Sequence, residues 1–132
     1  MHKLKYKKLW LSIGYLMIIF VIYSSLTPSP VEMNIEGSDK LMHMIGYFGL
    51  LGWFVQIYQQ KKVQLILAAV FICMGVALEF LQELGGVRYF ELSDMLANTT
   101  GVLIAWLLVF TPFPKLLLWF ENAVINALAT NK

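Results

Sequence analysis

Ionisable and amide side chains interrupt several strongly apolar segments of this chain. They comprise a histidine, carboxylates, two cations and neutral hydrogen-bonding groups: Asp39, Lys40, His43, Tyr47, Glu79, Gln82, Arg88, Asp94 and Asn98. Ionisable residues in apolar sequence are energetically unfavourable, so by default they suggest a function. Glu79 and His43 stand out, because both lie inside apolar segments and both can exchange protons.

The spacing of these residues predicts that they share helix faces, since residues three or four apart lie on the same side of a helix. The sets with this spacing are Asp39, His43 and Tyr47; Glu79 and Gln82; and Asp94 and Asn98. Each helix should therefore present a narrow polar stripe on an otherwise apolar surface. Lipid would leave the donors and acceptors of a stripe unpaired, so the stripes must face one another or water.

The composition predicts an integral membrane protein. Of the 132 residues, 59% are hydrophobic and 14% are charged, whereas about 25% of the residues of soluble domains are charged. Since about 20 apolar residues span a bilayer, the chain has room for four spans with short loops and for no separate soluble domain. The net charge of +2 is small and the basic residues flank apolar segments, so we expect no nucleic-acid partner.

The predicted fold is all-α: a four-transmembrane-helix bundle with a short C-terminal amphipathic helix, forming a single domain over residues 1–132. The predicted spans are 9–26, 41–58, 63–84 and 95–110, and the amphipathic helix covers 115–128. This last helix either lies on lipid or packs against the bundle. Gly46, Gly49 and Gly52 are interpreted as small residues that let helices approach closely.

The basic residues predict the topology. Lysines precede the first span and Lys61-Lys62 follows the second, whereas the loop at 27–38 has no lysine or arginine. By the positive-inside rule, both termini lie in the cytoplasm and the loops at 27–38 and 83–93 lie outside. This places the candidate residues at one level in the outer leaflet of a bacterial inner (cytoplasmic) membrane, around an outward-facing cavity.

Three alternatives to a lipid site remain open. A structural network would pin the helices in register, although uncharged polar residues would serve that purpose. A metal site would use His43, Glu79, Asp39 and Asp94, but these match zinc or a harder ion only loosely, so we predict no metal and no cofactor. A proton-coupled transporter would need polar residues through the cytoplasmic half, which offers only Ser12, Gln56 and Gln64. Cys73 has no intrachain partner and is interpreted as a packing residue.

Three short motifs carry a resemblance to a known family: Asp39-Lys40-x-x-His43-x-x-x-Tyr47, Glu79-x-x-Gln82, and Arg88-x-x-Glu91-x-x-Asp94-x-x-x-Asn98-x-x-Gly101. At these residues the sequence resembles the VanZ-like family of small membrane proteins, which is named for a teicoplanin-resistance protein. Ser25 with Pro28 is similar to the family's Ser and Pro after the first span. The resemblance covers residues 24–110 and implies a four-helix membrane protein. For the founding member it implies lowered susceptibility to a lipoglycopeptide antibiotic.

The predicted function is an outward-facing site that acts on or binds a cell-envelope lipid, a lipid-linked glycan or an amphiphilic glycopeptide antibiotic. In a reaction, Glu79 or His43 would be the general base, and Asp39 or Asp94 would orient the histidine. The predicted ligand-binding residues are Lys40, Arg88, Gln82, Asn98, Tyr47 and Ser25. The alternative is a non-enzymatic binder or a helix-bundle partner. The expected partners are membrane lipids or a lipid-linked envelope precursor, and the sequence leaves enzymatic activity and oligomeric state open.

Overall fold

A computed structural model describes residues 3–27, 38–86 and 91–131, with the backbone alone for Ser38 and Asp39. The helices are α1 (Lys7–Leu26), α2 (Ser38–Ile57), α3 (Lys61–Leu84), α4 (Leu92–Leu107) and α5 (Leu116–Thr130). Two short 3-10 turns, Leu108–Phe110 and Phe113–Lys115, join α4 to α5. The described residues thus confirm the all-α prediction.

The helix ends follow from local sequence. The backbone of Thr27 is extended where α1 ends, because the following proline disfavours helical geometry in the residue before it. At the end of α3, the N–H groups of Gly85 and Gly86 donate to the carbonyls of Leu81 and Glu83, and Gly86 has a φ of 66°. A glycine in the left-handed region is a common way to end a helix.

Within the described residues, three helices are long and apolar enough to cross a membrane, whereas we predicted four. They are Lys7–Leu26, Lys61–Leu84 and Leu92–Phe110. The predicted second span, α2, is not among them, because Lys40, His43 and Gln56 interrupt its apolar residues. The structure places α2 at the centre of the fold, in contact with α1, α3, α4 and α5. Polar side chains on the faces of α2 that meet other helices do not contact lipid, so the helix tolerates them, although Met42 and Ile45 on its outer face are exposed.

Side-chain contacts set the directions of the helices. Trp53 near the end of α2 donates from Nε1 to the carbonyl of Trp10 near the start of α1, over 2.8 Å. At the other end, Gln82 of α3 donates to the carbonyl of Ser25 of α1, over 2.6 Å. The ends of α1 and α3 therefore lie beside the starts of α2 and α4, at what we call the polar end of the bundle.

The closest helix pair is α2 and α4, which run parallel. A Cβ atom at Gly101 of α4 would lie 2.2 Å from the carbonyl oxygen of Met44 in α2, too close for any side chain. This backbone contact confirms that small residues bring the helices together, as expected in a membrane bundle. It also holds the polar stripes of α2 and α4 against each other.

The apolar core lies between α2, α3 and α4. Its fully buried members include Leu50, Leu51 and Val55 of α2 and Val102 and Ala105 of α4. By contrast, α1 is peripheral, and many of its apolar side chains are exposed, with Phe20 at 69%. Such a surface suits hydrocarbon rather than water.

The C-terminal helix packs against the bundle through a carboxylate. Glu121 of α5 is 2% exposed; it accepts hydrogen bonds from Trp10 Nε1 at 2.6 Å and from the backbone N–H groups of Lys5 and Tyr6. Leu117 is buried one turn before it, whereas Leu116 and Phe120 of the same helix are exposed. The helix therefore both packs on the bundle and keeps apolar side chains outside.

Burial by itself would raise the pKa of Glu121. The hydrogen bonds from the Trp10 indole and from the backbone of Lys5 and Tyr6 outweigh it, so the pKa of Glu121 lies below its usual value. The side chain is thus a carboxylate at neutral pH, and it satisfies N–H groups at the start of α1 that have no partner within the helix.

Candidate functional site

The polar end contains a group of interacting side chains that we call the polar cluster. Its members are Lys40, His43 and Tyr47 of α2, Glu79 and Gln82 of α3, and Glu91, Asp94 and Asn98 at and within the start of α4. Seven of these eight were among the predicted site residues. The members from α2 face both α3 and α4.

Lys40 joins α2 to the start of α4. Its ammonium group donates to Asp94, and to Glu91 Oε2 at 2.5 Å. Asp94 is buried, whereas the side chain of Glu91 is 53% exposed. Two carboxylates therefore compensate the charge of Lys40.

Glu91 was not among the predicted site residues, although it belongs to the third motif of the family resemblance. Its spacing could have identified it, because Glu91 precedes Asp94, another member of the cluster, by three residues. Two carboxylates three residues apart lie on the same side of a helix and can both contact one cation. The structure places Glu91 directly before α4, where it does so.

His43 is held by Asn98. The Nδ1 atom of His43 lies 3.0 Å from Asn98 Oδ1, and its Nε2 atom lies 4.0 Å from Asp94 Oδ2. An amide oxygen accepts from an imidazole N–H, so this contact places a proton on Nδ1. We expected a carboxylate to orient the histidine. Among the described contacts, the amide of Asn98 makes the shorter one and the carboxylate of Asp94 the longer one.

Tyr47, Glu79 and Gln82 form the deepest part of the cluster. Glu79 and Gln82 are each 1% exposed and Tyr47 is 2% exposed. Gly75 of α3 makes room for this packing, since a Cβ atom there would lie 3.3 Å from Tyr47 Cε1. Within the described part of the chain, the Tyr47 hydroxyl and Gln82 Oε1 make no hydrogen bond. Both therefore retain hydrogen-bonding capacity inside the bundle.

Three further predicted site residues are not counted in the polar cluster. Arg88 lies outside the described residues. Asp39 lies in the first turn of α2, and only its backbone is described. Ser25 contributes its backbone carbonyl, which accepts from Gln82.

A cavity of about 360 Å³ opens between α1 and α2 next to the cluster. Its walls are mostly apolar and include Phe20 and Val21 of α1 and Ile45 of α2, while His43 and Tyr47 line it as well. This cavity lies on the α1 side of α2, whereas the predicted site residues also include side chains of α3 and α4.

The described residues do not assemble a metal site. Within 3–27, 38–86 and 91–131, no group of three His, Cys, Asp or Glu side chains is arranged to hold a metal ion. The alternative metal site would use four side chains, and that of Asp39 is not described.

The polar residues of the opposite half bind backbone carbonyls. Ser12 donates to Lys8, Gln56 donates to Gly52, and Gln64 donates to Val55 and Tyr58 at the end of α2. These contacts stabilise helices and turns. A proton path through the bundle would need such groups to face one another, which the described contacts do not provide.

The fold and the cluster define an all-helical protein with membrane-spanning helices and a buried polar site at one end. Residues 5–118 match the VanZ/LLP1 family, and the chain belongs to that family. It is 29% identical over 106 residues to "Uncharacterized protein C11E3.10" of Schizosaccharomyces pombe, which covers 77% of this chain and 63% of that protein. The chain thus spans less than two thirds of this relative. No solved structure matches it.

Proposed function

We propose that this protein binds a lipid or lipid-linked glycan of the bacterial cytoplasmic membrane at its polar end, which faces outward. The observation that carries the proposal is the position of His43. This side chain belongs to the buried polar cluster through Asn98 and Asp94, and it also lines the cavity between α1 and α2. A lipid headgroup in that cavity would meet a histidine held in place by its neighbours.

In this proposal four helices, α1 to α4, cross the membrane. The 20 residues of α2 give a helix of about 30 Å, the thickness of the hydrocarbon core. Its central position supports a crossing despite its polar residues. The basic turn at Lys61-Lys62 would face the cytoplasm, and α5 would lie along the cytoplasmic surface with Trp119 and Phe120 exposed to the interface.

The proposed ligand is a glycerophospholipid. A relative in fission yeast supports a ligand that bacterial and fungal membranes share rather than one restricted to bacteria. The amphiphilic glycopeptide antibiotic suggested by the family resemblance is a competing ligand for the same test. A purely structural role for the cluster is the alternative.

We propose binding rather than catalysis. With Nδ1 donating to Asn98, only the Nε2 atom of His43 could accept a proton, and that atom lies beside the carboxylate of Asp94. Glu79, the other predicted base, is buried between the helices and is not among the residues that line the cavity.

The test is lipid retention by the purified full chain. The protein is equilibrated with vesicles of phosphatidylglycerol and phosphatidylethanolamine, extracted in detergent, and weighed with its bound lipids by native mass spectrometry. We expect His43→Gln to reduce retained lipid about tenfold, the equivalent of one charge-assisted hydrogen bond of about 1.4 kcal/mol. Unchanged retention would reject the proposal.

The matched control is Glu83→Gln, which removes an exposed carboxylate at the same end of the bundle and should leave retention unchanged. The same samples distinguish a binder from an enzyme. If the native protein forms a new lipid product and both His43→Gln and Glu79→Gln lose it, the protein is an enzyme rather than a binder.

A further inference from the structure

The three glycines of α2 do not have the same surroundings. A Cβ atom at Gly52 would lie 3.4 Å from Phe113 and one at Gly49 would lie 3.8 Å from Met17, which are packing distances. A Cβ atom at Gly46 would meet nothing within 4 Å. Our interpretation of all three as packing residues is therefore wrong for Gly46, whose lack of a side chain keeps the cavity between α1 and α2 open.

The cavity has a polar end and an apolar end. Ser24, Ser25 and His43 line it near the end of α1 and the start of α2, whereas Phe20 and Ile45 line it further along. Ser24 and Phe20 are four residues apart on one helix, which corresponds to about 6 Å along the axis. A ligand that fits this arrangement is polar at one end and apolar along its length.

The surroundings indicate which molecule fills the apolar end. The cavity opens on the outer surface of α1 and α2, where Phe20 is 69% exposed and Ile45 is 54% exposed. In a membrane such a surface contacts acyl chains, and water has no partners there. The volume of about 360 Å³ lies at the lower end of the range of ligand pockets, which is roughly 300–1,000 Å³.

We propose that the space between α1 and α2 holds one hydrocarbon chain of a membrane lipid, with Gly46 beside the chain and Ser24, Ser25 and His43 beside the linkage to the headgroup. This inference rests on the proposed function and adds the position and number of the chains. It assigns the membrane face of α1 a binding role, for which the sequence indicated only Ser25.

The probe is phosphatidylglycerol with a diazirine on one acyl chain, mixed into phosphatidylethanolamine vesicles that contain the full chain. After irradiation, digestion and mass spectrometry, we expect adducts to concentrate on residues 20–25 and 42–47. The exposed stretch of α3 around residues 65–70 should carry fewer, since it offers surface without a cavity.

Two variants fill the space from opposite sides. Gly46→Leu fills it from α2 and Val21→Trp from α1, and each should lower the cavity adducts at least about fivefold while the α3 adducts stay constant. The control Ala69→Leu introduces a leucine side chain at an exposed position of α3 and should change nothing. Even labelling of all exposed apolar residues, or full labelling of both filled variants, would overturn the inference. So would crosslinks between copies of the protein at the cavity.

The two proposals fail in different ways. If His43→Gln still loses lipid but the filled variants are labelled like the native protein, the proposed position of the hydrocarbon chain is wrong and the headgroup site stands. If the filled variants lose labelling while His43→Gln retains lipid, His43 is not the headgroup contact, and the proposed function fails.

Discussion

At the scale of single residues, the polar cluster combines an ion-pair group with a hydrogen-bonded histidine. Lys40, Glu91 and Asp94 form the first, and His43 with Asn98 forms the second. Asp94 connects the two, because one of its oxygens accepts from Lys40 while the other lies 4.0 Å from His43. A change at Asp94 should therefore affect both stability and the site.

We predict that Asp94→Asn lowers the free energy of unfolding in detergent by about 1–3 kcal/mol, because it removes the charge of the buried carboxylate that accepts from Lys40, and the exposed Glu91 remains as the other described carboxylate partner. The matched control is Glu91→Gln, which removes the more exposed partner and should cost about 0–1 kcal/mol. Thermal unfolding of the two single variants and the double variant measures both values. Equal losses in the two single variants would contradict the assignment of Asp94 as the main partner.

At the scale of elements, the close approach of α2 and α4 sets the geometry of the site. We predict that Gly101→Ala destabilises the fold by about 1–3 kcal/mol, because its Cβ atom would meet the backbone of Met44 and push the two helices apart. Gly46→Ala should change stability little, since its Cβ atom meets open space. The comparison uses melting temperatures in one detergent. A larger loss at Gly46 than at Gly101 would reject the packing described for this pair.

The attachment of α5 depends on Glu121 and should depend on pH. Because the pKa of Glu121 is depressed, its contribution is present above its unfolded pKa, about 4.3, and is lost as the pH falls through the lower folded value. We predict that Glu121→Gln releases α5 at neutral pH, seen as faster proteolysis after residue 115 and altered Trp10 fluorescence. In the native chain the same release should require acidification below the ordinary range of a glutamate. Resistance of Glu121→Gln to proteolysis at neutral pH would show that other contacts hold the helix.

At the scale of the whole molecule, the central position of α2 explains how a helix with charged and polar residues fits a membrane fold. Its polar side chains face α3 and α4 at one end, and its apolar side chains form the core further along. This arrangement predicts that the residues at the two ends of the bundle lie on opposite sides of the membrane.

Cysteine labelling in intact cells tests this topology, with exposed Cys73 first replaced by serine. We expect Glu83→Cys to react with a membrane-impermeant maleimide from outside, and Lys62→Cys and Lys3→Cys to react only after permeabilisation. Opposite behaviour of Lys3→Cys and Lys62→Cys would mean that α2 does not cross. Permeabilised cells give the control for reactivity of each cysteine.

The positions of the helices could be predicted from the sequence. Predicted spans 9–26 and 63–84 correspond to α1 (Lys7–Leu26) and α3 (Lys61–Leu84), within about two residues at each end. Apolar segments of membrane length and the proline and glycine residues between them are local signals, so no tertiary information was needed. The polar stripes were equally local, because helical spacing places His43 with Tyr47 and Asp94 with Asn98 on one face.

Which helices lie against each other was not predictable from the sequence. Glu121 accepts from the side chain of Trp10, which is 111 residues away, and the cavity beside His43 is bounded by α1, on which Ser25 alone was a predicted site residue. Helix pairing depends on the sum of many weak contacts between distant segments, such as Gly101 against Met44. A local sequence pattern does not report the sum of these contacts. The central position of α2 and the cavity between α1 and α2 therefore require the tertiary structure.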